Sequence, residues 1–369
     1  MESFSTCFAD LDDPRADNAR HDLHEILLIA LCAVLCGAED GTDMALFGRA
    51  KHDYFRSFLR LRHGIPSHDT FSRLFRLLNP AQFHACFLTF MRRFAENLRG
   101  VVALDGKTLR RSFDRAAGQS PLHLVSAWAA DQRLVLGQMA VDGKSNEITA
   151  VPKLLALLSL QGTIVTADAM HCQRTVAEQV VAQGGDYVLA LKGNQGTLYE
   201  DVRHLLHASP SLPATTHTTV EKEHGRLETR TSVVLEERAW LQEQHDWPGL
   251  AAIGKITRTR EINLQTSTET AYYLLSTPLS AERLGQVVRQ HWGIENSLHW
   301  VLDVTMNEDQ ARHRKDHGPE NLALLRRLAL NVARLEPSKG SLKGKRKRAG
   351  WDNAYLTQLL HQFASPHMR

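Results

Sequence analysis

Asp105 closes a short apolar run, Val101-Val102-Ala103-Leu104, and is followed at once by Gly106 and Lys107. Four apolar residues in a row read as a buried strand, and Gly106 permits a sharp turn that leaves the carboxylate at the strand's end. Taken alone, the stretch is better read as an ordinary strand with an Asp-Gly turn. A second apolar run, Thr163-Ile164-Val165-Thr166-Ala167, also stops on an acid, Asp168. A third acid, Glu295, lies in a segment of helical spacing. Winding residues 281–302 at about 100° per residue puts Leu284, Val288, Leu298 and Leu302 on one stripe, with Glu295 about 20° from its centre. A carboxylate on an apolar face needs a base, hydrogen bonds or a cation. A salt bridge to His291 or to a distant arginine would serve. So would packing of this face on the strand ends that carry Asp105 and Asp168. Three carboxylates would then converge, an oxygen-donor set suited to a hard cation, Mg²⁺ or Mn²⁺. Two such ions about 4 Å apart activate a water or a 3′-hydroxyl and stabilise the leaving oxygen of a phosphodiester. The chemistry would be phosphoryl transfer on nucleic acid.

The elements that must position these acids follow from periodicity. Residues 1–99 read as an N-terminal helical domain, with apolar positions at helical spacing from Ile26 to Leu78 and a break at Gly64-Ile65-Pro66-Ser67. Helix, turn and helix here are compatible with a DNA-reading motif that presents Ser67, His68, Thr70 and Arg73, and equally with a plain helical bundle. Residues 100–208 carry three strand candidates able to pair as an antiparallel meander, then helix, strand, helix and strand, a parallel crossover. That order is the order of a ribonuclease H-like core, an α/β fold with a mixed sheet flanked by helices. Residues 209–279 are Thr-rich, charged and strand-like, and read as a β-rich insertion. Helical spacing returns over 280–336, the last part of the core with the Glu295 helix, and 337–369 reads as a basic C-terminal tail.

Bulk composition is that of a globular protein: 43% hydrophobic and 23% charged residues, with a net charge of only +3, so the overall field does not announce a polyanionic partner. The basic residues are unevenly placed, with Lys339, Lys343, Lys345, Arg346, Lys347 and Arg348 clustered near the C-terminus. Five scattered cysteines without a paired motif support neither a disulfide framework nor a zinc site, and fit a reducing cytoplasm. No basic start and cleavage site suggests a signal peptide, and the run Ile26 to Cys36 is shorter than the ~20 residues of a membrane span.

The chain resembles the DDE transposases of bacterial insertion sequences, specifically the H-repeat-associated group. The resemblance is carried by Leu104-Asp105-Gly106-Lys107-Thr108-Leu109-Arg110, by Asp168-Ala169, by Lys192-Gly193-Asn194-Gln195, by His224-Gly225-Arg226-Leu227-Glu228-Thr229-Arg230, and by His291-Trp292-Gly293-Ile294-Glu295-Asn296. It implies a ribonuclease H-like core in which Asp105, Asp168 and Glu295 are the catalytic and metal-binding triad, holding two Mg²⁺ or Mn²⁺ ions. It also implies cleavage at the element's ends and transfer of the 3′-hydroxyls into target DNA. The partners would be double-stranded terminal repeats, target DNA and at least a second copy of the chain, in a bacterial cytoplasm and at the nucleoid when bound. A nuclease without strand transfer and an inactive DNA-binding remnant are the alternatives. Many related transposases place a Tyr, an Arg and a Lys around the Glu; here those positions are Val288, His291 and Leu302, so other groups must hold phosphates. The DNA-contact candidates are Lys107, Arg110, Arg111, Lys192, Asn194, Gln195, Arg226, Arg230, His291, Trp292, His299, Arg312 and Arg314. Each also has a plain reading as a turn, surface or packing residue.

Overall fold

The computed structural model describes residues 2–16, 19–94, 98–114, 116, 118–141, 147–208, 213–223, 225–236, 238–263 and 265–363. Six helices come first: α1 (Glu2–Cys7), α2 (Leu23–Cys36), α3 (Gly41–Ala50), α4 (His52–Arg56), α5 (His68–Leu77) and α6 (Pro80–Arg92). In α2 every residue from Ile26 to Leu35 is buried, as a helix apolar on all sides demands. Asp22 caps its start, accepting from the Glu25 N–H, and Gly37 ends it at φ 117°, a conformation suited to glycine. Ser67 caps α5 by accepting from the Thr70 N–H. No helix among the described residues is long and apolar enough to cross a membrane.

The sheet begins with the antiparallel meander β1 (Gly100–Thr108), β2 (His123–Ala129) and β3 (Leu134–Val141). It continues through α7 (Glu147–Ala156), β4 (Thr163–Ala167), α8 (Arg174–Ala182) and β5 (Asp186–Leu191). β4 pairs parallel to β1, and β5 parallel to β4. The order β3-β2-β1-β4-β5 is that of a ribonuclease H-like core.

The next elements are α9 (Thr197–Ala208), β6 (Ala214–Glu223), β7 (Arg226–Leu235), α10 (Ala239–His245), β8 (Ala252–Ile262) and β9 (Gln265–Leu275). The four strands of this Thr-rich region do not form a sheet of their own. β9 pairs antiparallel with β5, and the sheet runs on as β9-β8-β7-β6 to nine strands. The reason lies within each strand: Ala252, Ile253 and Gly254 of β8 and Tyr272 to Leu275 of β9 are buried at the root, whereas Gln265 to Thr270 are exposed. Cross-strand threonine pairs such as Thr218–Thr231 and Thr259–Thr268 line the outer part.

Helix α11 (Ala281–Ile294) passes into two π-helical turns, Glu295–His299 and Val301–Thr305. Then come α12 (Gly318–Leu335), α13 (Leu342–Trp351) and α14 (Asn353–Leu360). α12 is buried almost throughout and joins the helical unit to the sheet. Its Asn321 amide donates to the Phe75 and Leu78 carbonyls at 2.8 and 2.9 Å, ending α5. Its Asn331 amide pairs with the N–H and carbonyl of Val135 at 2.9 and 2.8 Å, covering the open edge of β3. One continuous hydrophobic core therefore spans residues 1–99, the central strands and α12.

Described to Phe363, the basic C-terminal segment is not a solvated tail. Ala349, Tyr355, Leu356, Leu359 and Phe363 are buried. Its cations serve helix ends: Lys345 donates to the Ala333 carbonyl in the last turn of α12, and Arg346 to the Val34 carbonyl in the last turn of α2. Glu336 anchors the fold-back, accepting from Tyr355, Ser338 and Gln358 and pairing with Lys345. Burial pushes the Glu336 carboxyl up, but bonds from Ser338, Tyr355 and Lys345 outweigh it and hold it at about 2. A carboxylate depressed on folding stabilises the protein above its unfolded pKa and loses that contribution as pH falls toward the folded one. Stability should therefore fall by roughly 2 to 3 kcal/mol from this group between pH 5 and pH 2. In thermal melts, Glu336→Gln should flatten that part of the pH profile; an unchanged profile would refute the assignment.

Candidate active site

Parallel pairing of β1 with β4 runs from Gly100↔Thr163 to Leu104↔Ala167. The next residue on each side is an acid, Asp168 just past the end of β4 and Asp105 within β1, which does not turn at Gly106 but continues to Thr108 paired with β2. The two acids stand side by side where the parallel pairing stops, about 5 Å apart in the backbone. This edge of an α/β sheet is where ligand crevices form. The Asp168 side chain is 50% exposed. Asp105 accepts the Gly106 N–H at 2.9 Å with Oδ1 and faces His299 Nε2 at 3.1 Å with Oδ2.

Asp168 opens a 3₁₀ turn, Ala169–His171. Asn194 donates to the Ala169 carbonyl at 2.8 Å and Gln195 to the Cys172 carbonyl at 2.5 Å. Both amides, expected on DNA, are spent on this turn, because the β5 end lies beside the β4 end in the parallel register. Lys192, just before them, is exposed.

Leu284, Val287, Val288, Ile294, Leu298 and Leu302 are buried, so the apolar stripe is real. Glu295 is not buried within it, contrary to the straight winding; it is exposed. His291 Nδ1 is 3.0 Å from Thr166 Oγ1, two residues before Asp168, and His299, one turn beyond Glu295, reaches Asp105. Glu295 thus sits between a contact with β4, through His291, and one with β1, through His299, with its own side chain exposed. The π turn starting at Glu295 adds a residue per turn and re-aims those that follow. Arg334 donates to the Ser297 carbonyl and Arg346 to that of Thr305, bracing both π turns.

His291 and His299 are therefore parts of the site's interior and not free DNA contacts. Burial lowers the His291 pKa, opposed by Asp105 and Asp168, which places the ring in the field of both acids.

Lys107 is likewise withdrawn from DNA. It is buried, and its ammonium pairs with Asp303 and, at 3.0 Å, with Glu308. Glu308 in turn meets buried Arg327 at 2.9 Å. A lone buried ammonium is costly, so the cation two residues after Asp105 draws acids from the segment following Glu295 and ties that segment to β1. The pairing of Lys107 with Asp303 and Glu308 carries no local signal in the sequence, since the partners lie 196 and 201 residues away.

Arg226 and Arg230 share Glu228 with Arg260, so their charges are largely internal to the outer strands. His224 lies outside the described residues. Between these strands and α11 runs a groove of about 600 Å³, lined in part by Arg230, Arg258, Arg289, Trp292 and Asn296. Trp292 is exposed on its rim, and Trp300, which sequence reasoning left aside, is exposed on the far side of Glu295. Arg110 and Arg312 are exposed. Arg314 stacks on Phe113 at 4.6 Å and donates to the Arg111 carbonyl, joining the loop after β1 to the loop before α12.

Among the described residues, no three acidic, imidazole or thiol side chains are drawn close enough to enclose a metal ion. Like-charged carboxylates repel, and Asp105 is meanwhile satisfied by His299. The donor chemistry nonetheless suits a hard divalent cation: oxygen ligands, two on neighbouring strand ends and one on the helix above, with Asp168 and Glu295 open to solvent.

The family profile described as "Transposase DDE domain" matches residues 96–332, and one described as "DDE_Tnp_1-associated" matches residues 5–91. YhhI of Escherichia coli strain K12, named for the H repeat and for transposition, is 37% identical over 92% of each chain. YncI of Escherichia coli O157:H7, also named for transposition, is 34% identical over 92% of this chain and 90% of its own. A piggyBac transposase in a synaptic complex with hairpin DNA overlaps 99% of this chain and 78% of that one, at a TM-score of 0.45 and 13% identity.

Proposed function

The chain belongs to the DDE transposase family, and from that premise we propose that it cleaves a phosphodiester at each end of a mobile element and joins the freed 3′-hydroxyl to target DNA. The observation that carries this reading is the side-by-side placement of Asp105 and Asp168, with the Glu295 helix touching both strand ends through His291 and His299. Asp105 and Asp168 would hold Mg²⁺ or Mn²⁺ jointly, and Glu295 would complete the set. Bound there, two such ions supply an activated oxygen nucleophile and stabilisation of the leaving oxygen. The protein's own part is to fix the strand ends, through Asn194 and Gln195 at Asp168 and His299 at Asp105, and to hold the DNA.

For DNA we assign a basic band formed by exposed Arg110 and Arg312 with half-buried Arg111 and Arg314, and exposed Lys192 beside Asp168. Trp292 would meet a base at an opened end. The DNA is double-stranded at the terminal repeats and target, synapsis of two ends needs at least a dimer, and the work is done in the bacterial cytoplasm at the nucleoid.

The test is incubation of the protein with pre-cleaved end duplexes and a supercoiled plasmid. Mg²⁺-dependent joined products are expected. Cleavage of uncut ends without joining would reduce the protein to a nuclease, and salt-dependent binding with no Mg²⁺-dependent product would reduce it to a binding remnant. Separately, Arg312→Ala should weaken end binding several-fold and lower the slope of log K against log salt by about 1; an unchanged slope removes Arg312 from the band.

A further inference from the structure

Behind the two aspartates lies a buried group that the proposed chemistry does not use. Glu147, the first residue of α7, is 1% exposed. Its Oε1 lies 2.5 Å from His123 Nε2 and its Oε2 3.0 Å from His171 Nε2, and both histidines are buried. His123 is on β2 opposite Thr108, whose hydroxyl is 2.7 Å from Nδ1. His171 closes the turn that Asp168 opens, and its Nε2 is 3.9 Å from Asp168 Oδ1. A Cβ on Gly106 would stand 2.6 Å from Glu147 Oε2 and 2.7 Å from His123 Nε2, so the residue after Asp105 has to be glycine for this group to pack.

One carboxylate therefore reaches the residue next to Asp105 and the turn that carries Asp168. From this juxtaposition we propose that Glu147 is a positioning residue for Asp105 and Asp168: through His123, His171 and Gly106 it fixes their spacing so that a divalent cation can be shared. The inference rests on the reading of Asp105 and Asp168 as metal ligands. A buried carboxylate that orients imidazoles beside a metal site is an outer-shell device whose loss typically costs about 10- to 100-fold in metal affinity or activity. The alternative, a purely structural plug, would lower the melting temperature and leave metal dependence alone.

The experiment measures Mn²⁺ binding by electron paramagnetic resonance on the full chain, together with the Mg²⁺ concentration for half-maximal end cleavage. Glu147→Gln should raise both the Mn²⁺ dissociation constant and the Mg²⁺ half-saturation by about 10-fold or more, with end-duplex binding in Ca²⁺ unchanged. Gly106→Ala, which pushes the same group from the other side, should give the same signature if Glu147→Gln folds poorly, and Glu147→Asp should recover part of the metal affinity. Unaltered Mn²⁺ binding and Mg²⁺ half-saturation in folded Glu147→Gln and Gly106→Ala would overturn the proposal. Absence of Mn²⁺ binding by the unaltered chain, or its persistence in Asp105→Asn and Asp168→Asn, would instead overturn the metal reading beneath it.

Discussion

Asp105→Asn abolishes Mg²⁺-dependent cleavage of end DNA while leaving duplex binding and thermal stability close to those of the unaltered chain. The substitution is nearly isosteric: the Asn carbonyl oxygen can still accept from His299, which faces Asp105 at 3.1 Å, so β1 and the π turn stay joined and only the local contact with the Gly106 N–H is given up. What disappears is a negative oxygen ligand. Lewis-acid stabilisation by a bound ion is worth several kcal/mol at the transition state, which sets the expected loss at about 10³-fold or more. Asp168→Asn should do the same, since the parallel register makes the two acids neighbours. Glu295→Gln should cost cleavage without stability, because the side chain is exposed and has no ion-pair partner among the described residues. Nicking assays on end duplexes check all three; retention of more than a tenth of the cleavage rate in Asp105→Asn would remove it from the triad.

Glu308→Ala has the largest expected effect on stability. Glu308 is buried between Lys107 and Arg327, with Arg326 nearby, and all three cations are buried. Burial pushes its carboxyl up, but Arg327 and Lys107 outweigh that and hold it at about 2. Removing the shared anion leaves cations without it in the interior, a change worth roughly 3–5 kcal/mol, or on the order of 5 °C in melting temperature for a chain of this size. Cleavage should fall as well, since the network ties β1 to the segment after Glu295. Replacing Glu308 and Arg327 together by leucine should recover much of the stability, because a buried pair exchanged as a unit is often neutral. A melting temperature within 1 °C of the unaltered chain for Glu308→Ala would contradict this account.

Much of the fold was legible because element type is written locally. The apolar run before Asp105 is a strand as expected, but no turn follows at Gly106: β1 runs on to Thr108 because Asp105 to Thr108 stay paired with β2. The meander followed by a crossover leaves few topologies open. Once β1 and β4 are parallel neighbours and an acid follows the last paired residue of each, the placement of Asp105 beside Asp168 follows with little further information. The Thr-rich strands were also visible, but not that they extend the central sheet. That depends on β9 finding β5, more than seventy residues earlier in the chain.

The chain's own order thus determined the strands, the helical segment that carries Glu295 and the positions of the three acids along them. Tertiary structure decided what those acids face. It left Glu295 exposed, placed Lys107 against Asp303 and Glu308, 196 and 201 residues away, and committed Asn194 and Gln195 to the Asp168 turn. It also folded the basic C-terminal segment onto helix ends and enclosed Glu147 between His123 and His171. Periodicity reports which side of an element is apolar. A buried charge, by contrast, is satisfied by whichever partner the packing of distant elements brings within about 3 Å, and no local pattern records that.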